Sequence, residues 1–180
     1  MLSDRDIRLA MTPEKQAPNL RHRQPLVIVP EPSDEAFQPC SVDLRLGNEY
    51  IYWVGVKGAD IVKRKIIKDH FVLRQGQFIL ATTLEYVEIP NWLCGILEGK
   101  SSLGRQGVMV HVTAGLIDPG FKGMITLEIK NVGYENVRLD FGMKISQLTF
   151  SQLSSPALRP YGSDGLGSKY QGQVGVTDAR

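Results

Sequence analysis

Apolar and polar residues alternate along most of the chain from about residue 40 onward. In "CSVDLRLG", Val42, Leu44 and Leu46 alternate with Asp43 and Arg45. "EYIYWV", "IVKRKII", "QFILATTLEYVEI", "VMVHVT", "MITLEIK" and "KISQLTF" follow with the same short period. A period of two puts successive side chains on opposite faces of an extended chain, so each segment predicts a β-strand. Gly47-Asn48, Gly55, Gly76, Pro90-Asn91, Pro119-Gly120, Asn131 and Gly142 separate the segments and supply turn chemistry. Many short strands divided in this way predict an all-β fold, a barrel or jelly roll. The one helical signal comes first: Ser3 and Asp6 read as a cap ahead of Ile7, Leu9 and Ala10, predicting a short helix that ends before Pro13.

Length and composition narrow the class. The 180 residues, 42% apolar and 22% charged, suit one folded domain over 1–180. A net charge of +2 lacks the dense basic stripe of a duplex binder, so no nucleic-acid partner is expected. Apolar runs such as "LVIV" at 26–29 are far too short for a membrane span. "MLSDRDIRLAM" carries acids where a secretory signal carries bases, and the expected location is cytoplasmic. Cys40 and Cys94 form no C-x-x-C pair, so both read as small buried hydrophobes rather than a disulfide or zinc site. The segment 161–180, "YGSDGLGSKYQGQVGVTDAR", is too polar and glycine-rich to build core. Two readings stand for it: a disordered tail, or an arm that orders over a ligand through Lys169, Tyr170, Gln171 and Gln173.

Three stretches carry candidate chemistry. "EGKSSLGRQG" at 98–107 ends like a P-loop at Gly99-Lys100-Ser101, but Cys94 stands where the first glycine belongs. Ser101 and Ser102 suit the cap of a short helical turn through Leu103 and Gly104, flanked by Lys100 and Arg105. That is either a phosphate site or a solvated turn. In "MITLEIK", Ile125, Leu127 and Ile129 share one face while Thr126, Glu128 and Lys130 share the other, which makes Glu128 either a cleft carboxylate or a solvated one. The preceding strand sets Val108, Val110 and Val112 against Met109, His111 and Thr113, and His111 beside valines reads as a hydrogen-bonded core residue. His22 and His70 lie in charged surroundings and carry no signal. Gln147, among apolar neighbours in "GMKISQLTF", either bonds nearby backbone or lines a site.

Taken together, "EGKSSLGRQG", "HVTAGLIDPGFKGMITLEIKN", "GMKISQLTF" and "YGSDGLGSKYQGQVG" resemble the dCTP deaminases of the dUTPase-like superfamily, and "LSDRDI" and "PCSVDLRLG" fit the same pattern. The resemblance implies a dUTPase-like distorted β-barrel with a flexible C-terminal arm, assembled as a homotrimer with its sites between subunits. It implies Glu128 as general base and acid, working with Ser101, Arg105 and the main chain near Ala114. Lys100, Ser101, Ser102, Leu103, Gly104 and Arg105 would form the nucleotide loop. Asp118 would meet the deoxyribose, and Thr126 and Leu127 the base. Gln147, Tyr161, Lys169 and Gln173 would close on the triphosphate. Zinc deaminases use H-x-E and P-C-x-x-C ligands, which this chain lacks. The implied reaction is therefore zinc-free, with Mg²⁺ carried on the phosphates of dCTP and dTTP a candidate feedback inhibitor. Family members that stop at dUTP tend to carry His after "TA". Those that continue to dUMP and pyrophosphate tend to carry Gly, so Gly115 and Leu116 point to the dUMP-forming type. The rivals are a deaminase stopping at dUTP, a dUTPase alone, and a non-catalytic nucleotide-binding module.

Overall fold

A computed structural model describes residues 1–12, 24–55 and 61–179. Helix α1 (Asp4–Met11) opens the chain, and the Ser3 hydroxyl accepts the Asp6 N–H at 3.3 Å. Asp4 and Asp6 in its first turn complement the helix dipole, while Ile7 and Ala10 are buried. Pro13 and His22 lie outside the described residues.

The strands are β1 (Val27–Val29), β2 (Phe37–Gln38), β3 (Ser41–Gly55), β4 (Ile61–Ile67), β5 (His70–Leu73), β6 (Phe78–Glu88) and β7 (Leu93–Gly99). They continue with β8 (Val108–Met109), β9 (Leu116–Ile117), β10 (Lys122–Asn131), β11 (Val137–Asp140) and β12 (Lys144–Gln152), and a short helix α2 (Ser101–Gly104) follows β7. Ten strands form one curled sheet in the order β8-β10-β6-β3-β12-β7-β9, with β1 added to β6 and β2 and β4 added to β3. β5 and β11 pair apart from it. The all-β distorted barrel is as expected. Leu44, Leu46, Ile79, Leu127, Leu148 and Phe150, all 0% exposed, fill its interior.

Several local expectations are corrected. Gly47-Asn48 is not a turn: "CSVDLRLG" and "EYIYWV" run as the single strand β3, with a register shift between Leu46 and Tyr50. A Cβ on Gly47 would stand 2.7 Å from Thr82 Cγ2, so this glycine serves a close strand approach rather than a reversal. "VMVHVT" is strand only at Val108–Met109, and Val112 is exposed rather than buried with Val108 and Val110. The antiparallel β5–β11 pair joins segments far apart in the chain and has no distinct sequence signal. His70, at its edge, is exposed. Cys40 is exposed and Cys94 only half-buried, so neither is a core hydrophobe. Burial, then the nearby Asp118 carboxylate, raises the Cys94 thiol above its ordinary range and makes it a poor nucleophile.

After β12 the chain turns back over the sheet as the arm. Val176, 3% exposed, packs on Ile51 and Leu80 beside Trp53 and Phe78. Lys63 pairs with Asp178, and Glu49 accepts the Val176 N–H at 3.2 Å. The described residues of this segment thus lie against the sheet. No helix among the described residues is long and apolar enough to cross a membrane.

Tyr50 gives the fold a titratable marker. It is fully buried, stacks on Phe71 at 5.2 Å between centroids, and donates to the Gly47 carbonyl at 3.3 Å. Burial first, then Asp140 and Asp69, pushes its phenol up from 10.0 to about 12. Because the folded value is raised, this contribution is complete below the unfolded value and is lost as pH rises through the folded one. Over that interval about 1.4 kcal/mol per pH unit amounts to roughly 3 kcal/mol. Tyr50→Phe should flatten the fall of unfolding free energy between pH 10.0 and about 12, read by denaturant titration at each pH. An equally steep fall in the variant would assign it to other groups.

Candidate active site

The site is built on an offset between two strands. β10 pairs with β6, but the register moves from Met124↔Tyr86 to Thr126↔Thr82, leaving extra β6 residues opposite Ile125. A bulge of this kind frees backbone groups and re-aims side chains. Here Thr83, 0% exposed, repairs the ladder: its hydroxyl accepts the Ile125 N–H at 2.9 Å and donates to the Glu85 carbonyl at 2.8 Å. Glu85 is itself buried and takes the Arg45 backbone N–H at 2.8 Å and Arg45 Nε at 2.6 Å.

Beyond the offset, β10 alternates as the sequence predicts: Ile125, Leu127 and Ile129 are buried, and Thr126, Glu128 and Lys130 are half-buried on the other face. Glu128 does not face open water. It lines a cavity of about 630 Å³ with Thr126, Ala114, Leu116, Asp118, Tyr161 and Gln173. Its Oε2 accepts the Val112 N–H at 3.0 Å. The Val112 donor thus goes to the carboxylate rather than to a neighbouring strand. His111 is not the hydrogen-bonded core residue expected: it is half-buried on the cavity wall, and its Nδ1 is buried without a partner.

The arm closes one side. Met124 N–H donates to the Gln173 carbonyl at 3.0 Å, and Gln173 Nε2 donates to the Met124 carbonyl at 2.6 Å. Gln171 bonds Gly120 and Lys122, and Tyr161 packs on Phe121 at 5.9 Å between ring centroids. The far wall was missed by the sequence reading: Trp53 stacks on Phe78 at 5.7 Å, next to Leu80. These lie on the outer face of β3 and β6. An aromatic pair on a face otherwise open to solvent was the available signal that something covers it.

The remaining candidates lie elsewhere in the chain. Ser101, Ser102, Gly104 and Arg105 are exposed on or beside α2 and do not line the cavity. The helix cap is Lys100, not a serine, and it has no side-chain capping bond. Leu103 and Leu127 turn their side chains into the core, leaving only their main chain for a ligand. Lys100 pairs with the buried Asp43, which also meets Lys144 at 3.2 Å. Gln147 accepts from Ser41 Oγ at 3.3 Å and donates to the Gly99 carbonyl at 3.4 Å, bracing the root of the loop. Lys169 is exposed on the arm. Gly115 lies behind His111: a Cβ there would come within 3.1 Å of His111 Cε1 and of the Leu97 carbonyl. Among the described residues, no group of three or more His, Cys, Asp and Glu is gathered to hold a metal ion.

The family model described as dCTP deaminase-like matches residues 13–153. The chain belongs to the dCTP deaminase-like family. Within this family it is 47% identical to a dCTP deaminase of Haloarcula marismortui, across 82% of this chain and 84% of that one. It is 44% identical to a "dCTP deaminase, dUMP-forming" of Mycolicibacterium paratuberculosis, across 100% of this chain and 95% of that one. Among solved structures, the 2'-deoxycytidine 5'-triphosphate deaminase of Agrobacterium tumefaciens superposes with a TM-score of 0.62 at 20% identity, covering 88% of this chain and 49% of that one. A phage 80α dUTPase superposes with a TM-score of 0.52 at 17% identity, covering 74% of this chain and 94% of that one. At such identities these superpositions establish a shared fold between the dCTP deaminase-like chain and dUTPases.

Thr83→Val keeps the shape but removes the acceptor for Ile125 and the donor to Glu85. Leaving a buried N–H unpaired costs about 1–3 kcal/mol, so the variant should lose stability of that order in chemical denaturation. A loss below about 0.5 kcal/mol would show that the offset does not depend on this hydroxyl.

Proposed function

We propose that this chain hydrolyses dCTP to dUTP and ammonia and carries the product on to dUMP and pyrophosphate, as a zinc-independent deaminase of pyrimidine deoxyribonucleotide synthesis. The observation that carries the reading is the Glu128 carboxylate, held by the Val112 N–H inside a nucleotide-sized cavity of a dCTP deaminase-like chain. In the proposed step, Glu128 takes a proton from a water held by Ser101 and the main chain near Ala114. The resulting hydroxide adds to C4 of cytosine, Glu128 returns the proton to the amino group, and ammonia leaves. General acid–base catalysis of this kind contributes about 10²–10⁴-fold. Positioning of the triphosphate must add much of the remainder. Asp118 is proposed to meet the deoxyribose, Thr126 and the Leu127 main chain the base, and Tyr161, Lys169, Gln173 and Gln147 the phosphates.

Charge supports a site shared between copies of the chain. The described residues lining the cavity include the carboxylates of Asp118, Glu128 and Asp178 but no Lys or Arg. Lys63 pairs with Asp178, but no ion pair among the described residues offsets Asp118 or Glu128, and a triphosphate cannot settle against them without further cations. Arg105, exposed beside α2, supplies one if it comes from a second copy, as in a homotrimer. Mg²⁺ is proposed to enter on the phosphates, which suits an ion that keeps several waters and binds few protein groups. A free nucleotide as substrate suits a cytoplasmic enzyme, and dTTP is the candidate feedback ligand of the same pocket.

Extension to dUMP is supported by the dUMP-forming dCTP deaminase of Mycolicibacterium paratuberculosis, which aligns with the whole chain. Gly115 supports it too: any side chain there would push on His111 at the cavity wall, so a histidine at this position would need a different wall. Incubating the enzyme with dCTP and Mg²⁺ and separating ammonia, dUTP, dUMP and pyrophosphate tests both steps. Ammonia with equimolar pyrophosphate is expected. Accumulating dUTP would reduce the reading to deamination alone, and no ammonia at all would overturn it. Glu128→Gln should keep dCTP binding within about threefold while kcat falls by about 10²-fold or more. Turnover near that of the wild type would remove Glu128 from the role.

A further inference from the structure

Gln173 and Thr177 lie four positions apart on the arm, and their side chains meet at 2.5 Å between Thr177 Oγ1 and Gln173 Oε1. An amide oxygen cannot donate, so the single hydroxyl proton of Thr177 lies in this bond. The hydroxyls of Thr126 and Thr177 are also 3.3 Å apart, and since Thr177 has no second proton, Thr126 is the donor there. Thr177 N–H in turn donates to Thr126 Oγ1 at 3.4 Å. Gln173, 8% exposed, uses one Nε2 proton on the Met124 carbonyl at 2.6 Å. The result is a directed set of hydrogen bonds that joins Gln173 and Thr177 of the arm to Met124 and Thr126 of β10, the strand that carries Glu128.

The two ends of a glutamine amide are nearly alike in shape but opposite in chemistry. A phosphate oxygen needs the nitrogen end. The Met124 carbonyl, which can only accept, fixes the nitrogen end of Gln173; the Thr177 hydroxyl then donates to the oxygen end and holds the amide in that setting, with its second Nε2 proton left for an anion. We propose that Thr177 is a positioning residue for nucleotide binding: it holds the Gln173 amide in the donor sense and ties that setting to Thr126 on the base side of the cavity. The role rests on the deaminase reading, in which Gln173 meets the triphosphate and Thr126 the base. No group transfer involves Thr177, so its effect belongs in KM rather than kcat.

The test compares Thr177→Val, which keeps the branched shape without the hydroxyl, with Thr177→Ser, which keeps the hydroxyl. Ammonia release from dCTP is measured for each, together with amide hydrogen exchange of residues 173–178 with dCTP present. Thr177→Val is expected to raise KM about tenfold with kcat within about twofold, the size of one lost hydrogen bond in an equilibrium. Thr177→Ser is expected to restore KM, and exchange in the arm should quicken only in the valine variant. Unchanged KM in Thr177→Val, or equal damage in both variants, overturns the proposal. If the wild type releases no ammonia, the deaminase reading fails on its own. The exchange data then decide the Thr177–Gln173 contact: faster exchange in the valine variant keeps it, and equal exchange removes it.

Discussion

The pocket depends on the buried hydroxyl of Thr83, which lets β6 and β10 pair on both sides of a register offset. Without a partner for the Ile125 N–H, the offset would leave a donor stranded in the core, an arrangement folded proteins rarely keep. With it, β10 keeps strict alternation from Gly123 to Asn131 and puts Thr126 and Glu128 on the cavity side while Ile125 and Leu127 anchor the core. The neighbouring strand is adjusted to match. β3 slips register against β6 between Leu46 and Tyr50, and Gly47 gives Thr82 the room it needs. Core packing, strand register and the aim of the carboxylate are therefore one arrangement.

Much of this was legible from side-chain period alone. The inward face of β10 and the capped first helix follow from alternation and capping residues. The failures share a physical cause: they turn on contacts between residues distant in sequence. Gly47 reads as a turn unless Thr82 is known to press against it. The strand at Val108 reads as continuing until the Val112 N–H is found on Glu128. Trp53 and Phe78 carry no signal of a site wall until Val176 is found packed against them. His111 reads as satisfied core, whereas its Nδ1 has no partner. The arm was undecidable by composition because its attachment uses scattered side chains, among them Tyr161, Gln171, Gln173, Val176, Thr177 and Asp178, set among glycines.

One chain holds only part of what the proposed chemistry needs. Its cavity gathers carboxylates, aromatic walls and an amide, while the basic loop sits apart, with Lys100 tied to the buried Asp43 and Gln147 bracing Gly99. A loop so firmly rooted, yet with Ser101, Ser102 and Arg105 exposed, is suited to reach into another copy rather than back into its own chain. In the proposed assembly each cavity acquires the cations it lacks, and two halves that are electrostatically incomplete alone become complementary.

Subunit mixing tests that claim most directly. Chains carrying Glu128→Gln are unfolded with chains carrying Arg105→Ala, refolded together at equal amounts, and assayed for ammonia release from dCTP, with each variant refolded alone as the control. If the carboxylate and the arginine of one site come from different copies, hybrids recover roughly a quarter of wild-type activity for random mixing in a cyclic trimer. If both groups come from the same copy, the mixture stays as inactive as the two variants apart, and the shared site is contradicted.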